Sequence, residues 1–197
     1  MKRAILLSAA LLVGCGKKLV VQDRYYSLVL EAAGDRSLAV NGQPRARVDI
    51  VEVTMPDFLR SRSLVLQVST NEVIHARHHH WGEPLDDAVR KVLAWDLAEA
   101  VPTHAITLGH GRNADCSLRL EFDRFHASEG AKVMVSGRYT LRQGDREVHR
   151  EFDVTQVQRG DGYTAAVTAM RGALRTLSGQ MQEVVAACVP PPEPAAP

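Results

Sequence analysis

The chain has 197 residues, with 24 basic and 23 acidic side chains, a formal net charge of +1 and a 45% hydrophobic composition. That length suffices for one domain with a full core. The near-neutral balance supplies neither the basic footprint of a nucleic-acid-binding surface nor a polybasic membrane patch.

The first fifteen residues set the topology. Lys2 and Arg3 precede an apolar run from Ala4 to Val13, which ends in Leu12-Val13-Gly14-Cys15. A charged head, a 7–15-residue apolar stretch and small residues at the cut make a secretory segment, and the run is shorter than the ~20 residues a membrane-spanning helix needs. The last four residues resemble the lipobox of bacterial lipoproteins. Gly14 lets a peptidase approach the backbone, and Cys15 offers the thiol for acylation. Each buried methylene contributes about 0.8 kcal/mol and stable anchoring takes more than one chain; proteins resembling this one carry three. Residue 16 is Gly, not the Asp of an inner-membrane retention signal, so the outer membrane is expected. Expected boundaries are a signal peptide over 1–14, a lipidated tether over 15–24, a domain over 25–189 and a Pro-rich disordered tail over 190–197.

Of three cysteines, Cys15 is assigned to the lipobox. Cys116 and Cys188 remain in an exported, oxidising compartment where disulfides persist. A Cys116–Cys188 bridge and two buried thiols that never meet are both open readings.

Along the chain, Tyr25 to Leu30 reads as a first strand, residues 35–45 as a loop and Arg47 to Thr54 as a β-branched strand ended by Pro56. Ser63 to Ser69 alternates, and Thr70-Asn71 turns it into Glu72 to Ala76, a hairpin. Pro84, Asp86 and Asp87 open a helix whose stripe is Leu85, Val89, Val92, Leu93, Leu97 and Val101. His104 to Leu108 is a short strand. Cys116 to Asp123, a strand after Glu129-Gly130, and Glu147 to Val157 form an antiparallel meander with one wet face. Tyr163 to Cys188 is a long helix with Val167, Met170, Leu174, Leu177, Met181 and Val184 inward. The expected fold is α+β: two layers, with a mostly antiparallel mixed sheet and two amphipathic helices on one face. The polar face and the sheet edges are left for partners.

The most conspicuous chemistry is His75, His78, His79 and His80. Imidazole ligates metals, but successive histidines on an extended chain alternate in direction, so a solvated or interface loop is expected and no metal. Trp81 and Tyr163 precede the two helices and read as packing residues. There is no G-x-S-x-G elbow and no Walker loop. Gly109-His110-Gly111-Arg112 lacks the following Lys and Ser or Thr. No catalytic residue, no cofactor and no nucleic-acid partner are expected.

Several segments together resemble a family. They are the lipobox, Tyr25-Tyr26-Ser27-Leu28, Val51-Glu52-Val53-Thr54-Met55-Pro56-Asp57-Phe58-Leu59 and Trp81-Gly82-Glu83-Pro84-Leu85-Asp86. Glu121-Phe122-Asp123-Arg124-Phe125, Lys132-Val133-Met134-Val135-Ser136-Gly137 and Asp161-Gly162-Tyr163 follow in order. This order resembles the PqiC/YmbA-type auxiliary lipoproteins of ABC-type and MCE-domain transport systems, over nearly the whole mature chain. Glu83 departs from the pattern, where a Ser cap before Pro84 is usual. The resemblance implies a non-catalytic, outer-membrane-anchored periplasmic subunit that partners an MCE-domain protein in lipid movement and envelope integrity, and a ring-like homo-oligomer follows from tethering. The alternatives are a lipid carrier with an apolar groove between helix and sheet, and a periplasmic metal-dependent hydrolase.

Overall fold

The computed structural model describes residues 21–32, 43–109 and 114–190. The expected processing site at Gly14 and Cys15, most of the 35–45 loop and the tail beyond Pro190 lie outside the described residues.

In chain order the elements are β1 (Arg24–Tyr26), α1 (Val29–Ala32), β2 (Ala46–Thr54), a 3₁₀ turn (Asp57–Leu59), β3 (Ser63–Ser69), β4 (Glu72–Trp81), α2 (Leu85–Ala100), β5 (His104–Thr107), β6 (Cys116–Ser128), β7 (Lys132–Gln143), β8 (Arg146–Val157) and α3 (Gly162–Ala186). The expected α+β architecture is present as one open mixed sheet carrying α2 and α3.

β6 is the spine of that sheet. Along one edge, β2 runs parallel to its first half and β3 parallel to its last residues; along the other edge lies antiparallel β7, followed by antiparallel β8. β5 flanks β2 in parallel, β4 flanks β3 antiparallel, and β1 adds in parallel to the end of β4. The two longest ladders, β6–β7 and β7–β8, are antiparallel.

Period-2 alternation buries Cys116, Leu118, Leu120 and Phe122 of β6 and Val133, Val135, Tyr139 and Leu141 of β7. The helices cover the sheet with the expected stripes, α2 over β2 and β5 and α3 over β7 and β8: Val89, Val92, Leu93 and Leu97 of α2 and Met170, Leu174, Leu177 and Met181 of α3 are all fully buried. A buried side chain of this size stabilises the fold by roughly 1.5–3 kcal/mol, and these interlocked stripes hold the two layers together.

Three expected boundaries move, each for a local reason. The first strand stops at Tyr26, because the Ser27 hydroxyl accepts hydrogen bonds from the Val29 and Leu30 amides (3.1 and 3.4 Å) and starts the short α1. β6 passes Asp123 to Ser128, because a bulge between Phe122 and Arg124 returns Phe125 and Ala127 to the buried side after the alternation breaks. Gly137 faces Phe122 at that bulge, where a Cβ would lie 2.0 Å from the Glu121 carbonyl oxygen; no side chain fits. Third, the histidines expected in a loop are strand residues of β4, held between β3 and β1.

Candidate functional site

Two features lie outside the apolar core: an N-terminal corner of tyrosines and histidines, and a groove beside the β8 edge.

At the corner, β1 aligns Arg24, Tyr25 and Tyr26 with His79, His80 and Trp81 of β4. Alternation sends neighbouring histidines to opposite sides, so His79 finds different partners from His78 and His80, which share Asp23. His79 stacks on Tyr163 at the start of α3, with ring centroids 3.6 Å apart, and its Nδ1 lies 2.8 Å from the Tyr26 hydroxyl. His80 packs against Tyr25 and reaches Ser63 and Asp23. His78 donates to Asp23 at 2.9 Å. That hydrogen bond leads the causes that hold the Asp23 carboxyl below its usual range, aided by the charges of His80 and His78. Burial, then the positive neighbours Arg24, His78 and His80, push the His79 imidazole below its ordinary value. Trp81 is buried as expected, and Tyr163 is half-buried under His79. The run therefore fastens β1, the first strand among the described residues, to the sheet. Among the described residues no group of three or more His, Cys, Asp or Glu side chains is arranged to hold a metal.

Below the corner, Glu83 makes no side-chain cap on α2; it accepts hydrogen bonds from Lys91 (2.7 Å) and Ser27 (3.4 Å), which ties the start of α1 to α2.

At the opposite end, Cys116 of β6 and Cys188 beyond α3 form a disulfide, with Cα atoms 6.2 Å apart. The buried His104 donates from Nε2 to the Cys188 carbonyl at 3.0 Å, and Gln143 donates to the Val189 carbonyl. Three elements thus fix the exit of the tail.

Between the helices lies a feature that sequence reasoning missed. Arg171 of α3 donates two hydrogen bonds to Asp96 of α2, at 2.6 and 2.5 Å, with both side chains buried. A signal existed: each is a charge at a position its helix turns inward. His126, also buried, has its pKa pushed down by burial. Ser136, expected on the wet face, is on that side but covered by Arg124, whose Nε donates to it at 2.7 Å.

The groove, about 630 Å³, runs between β8 and the C-terminal half of α3. Val148 and Phe152 supply its apolar floor on the strand side, and Val184 and Ala187 on the helix side. Arg146 and Glu183 stand at its rim.

This architecture, a mixed sheet under two helices, has known counterparts. The chain belongs to the family of ABC-type transport auxiliary lipoprotein components, whose family model matches residues 26–182. It is 30% identical over 173 residues to the intermembrane transport lipoprotein PqiC of Escherichia coli (strain K12), covering 87% of this chain and 91% of that one. Among solved structures, the fold is shared with an uncharacterized protein at TM-score 0.70 and 23% identity, covering 84% of this chain and 99% of the other. A protein from Xanthomonas campestris shares it at TM-score 0.59 and 14% identity, covering 80% and 92%. The chain is thus a PqiC-like intermembrane transport lipoprotein, an auxiliary component of a transport system. No helix among the described residues is long and apolar enough to cross a membrane.

Proposed function

We propose that the chain is a non-catalytic docking subunit, held on the periplasmic face of the outer membrane by an acylated Cys15. It meets the end of an MCE-domain protein of the same transport system and forms a ring-like homo-oligomer there. The observation that carries this reading is the clasp of β1. The strand that follows the tether is paired with β4 and bonded through Asp23, Tyr25 and Tyr26, so a load applied at the N-terminus is delivered to the domain at one edge. Membrane tethering confines copies to a plane and raises their effective concentration, so weak lateral contacts suffice for a closed head-to-tail ring.

The test is a crosslinked pull-down of the lipidated protein from envelopes, with mass spectrometry of its N-terminal peptide. The expected result is an acylated Cys15 and an MCE-domain partner, with several copies of this chain per assembly by native mass spectrometry. A free N-terminus at another residue overturns the anchor, and one copy per assembly overturns the ring.

A further inference from the structure

Apart from the four-residue β5 beside β2, the sheet ends in two open strands. Among the described residues nothing pairs with the outer edge of β8 over its 12 residues. At the far side, β1 covers only His79 to Trp81 of β4, leaving the outer edge of residues 72–78 open. Open edges present unpaired amides and carbonyls and are templates for strand addition.

Their polarities match. β4 is antiparallel to β3, β3 is parallel to β6, and two antiparallel steps lead from β6 through β7 to β8. β8 and β4 of one molecule therefore run in opposite directions. Adjacent copies of a head-to-tail ring whose strands lie along the ring axis share one strand direction, so β8 of one copy meets β4 of the next antiparallel.

Side chains match as well. Ile74 faces Leu66, Leu66 faces Ala127, Ala127 faces Val133 and Val133 faces Gln156. Ile74 thus lies on the helix-facing side of the sheet, the side on which β8 carries Val148 and Phe152 at the groove floor. It is 43% exposed, one of few large apolar side chains left in solvent. Charge agrees too: the open part of β4 carries His75 and Arg77, whereas the solvent face of β8 carries Glu147 and Glu151. Neither Arg77 nor Glu151 has an ion pair with a described residue.

We infer that the β8 edge and its groove receive the β3–β4 hairpin of a second copy of this chain, with Ile74 entering the groove between Val148 and Val184. This interface rests on the ring reading above and gives it a surface. The contact is heterologous: each copy offers a groove at one edge and a hairpin at the other.

The experiment uses the full lipidated chain in its envelope complex. Chains bearing Ile74→Cys and chains bearing Val148→Cys are produced together and treated with a short bismaleimide, which tolerates either neighbouring register. Both positions are at least partly exposed, so cysteine is accommodated. The expected result is a product of twice the monomer mass only when both chains are present, and a ladder when both changes sit in one chain. Ile74→Asp added to the Val148→Cys chain should remove higher oligomers from native mass spectra. Absence of the crosslink in a sample that native mass spectrometry shows to be multimeric overturns the interface and leaves the ring. A single copy overturns both. A product from either variant alone, which indicates a two-fold contact, or a product containing a different polypeptide or a lipid, also overturns the interface.

Discussion

The β6–β8 meander under α3 and the β1–β4 corner are held by different forces. The meander shares long ladders, buries the apolar residues of β6 and β7 together with Phe152 and Val154 of β8, and is closed by Cys116–Cys188. The corner rests on three paired residues, one ring stack, one tilted ring contact and hydrogen bonds to an exposed carboxylate. The first should unfold with the whole domain; the second should open alone, because few buried apolar contacts protect it. The difference teaches that the fold's rigid body and its point of attachment are separately adjustable.

The largest effect should come from the centre of the rigid body. Arg171→Met leaves Asp96 buried without its guanidinium, a loss of about 3–5 kcal/mol, while the paired change Arg171→Met with Asp96→Asn should recover much of it. Urea unfolding checks this. A loss below 1 kcal/mol for the single variant would mean that water or another group replaces the arginine.

Next in size is the bridge. Cys116→Ser with Cys188→Ser should cost about 2–4 kcal/mol and loosen the end of α3 while β1 keeps its protection in hydrogen exchange. Non-reducing peptide mapping of the exported protein should recover the two cysteines as one linked peptide. Two free thiols there would refute the bridge.

The smallest effect, and the one that isolates the corner, is its response to acid. His79 has a pKa below the ordinary imidazole value, so the folded corner binds its proton less readily than the unfolded chain. The stability it contributes is complete above that ordinary value, near 6.5, and is lost as pH falls through it. Asp23 behaves alike but only in stronger acid, below the ordinary carboxylate value. Protection factors of β1 should therefore fall between pH 7.5 and 5.5, and His79→Phe should flatten that local change. The buried His126 adds a global decline of the same sign, which the variant leaves in place. A β1 whose protection ignores pH in the wild type would show that the stack does not gate the corner.

Much of this was legible in the residues. The helix stripes, the meander and the buried face of β6 up to Phe122 follow from periods of 3.6 and 2, because burial on one face selects them. What escaped was set by contacts distant in sequence. His78, His79 and His80 carry no strand signal, and they extended the predicted strand of His75 into the full β4 because β3 and β1 flank its end. The bulge at Asp123 breaks the alternation that would have carried β6 onward. Asp96 and Arg171 lie on the buried sides of two helices separated by four strands, so their pairing required the packing of α2 on α3. The disulfide could be named only as an option, because parity offers a pair and geometry alone forms it.

The short β1 also has a mechanical consequence. A domain pulled from its N-terminus loads the three-residue parallel ladder before anything else. When that ladder parts, residues 24–28 are released, a contour of about 17 Å at roughly 3.4 Å per residue, before tension reaches Leu28, which is fully buried. The edge strand then serves as a compliant link: it yields to a sudden pull on the N-terminus and re-seats when the pull ends, while the sheet behind it keeps its register.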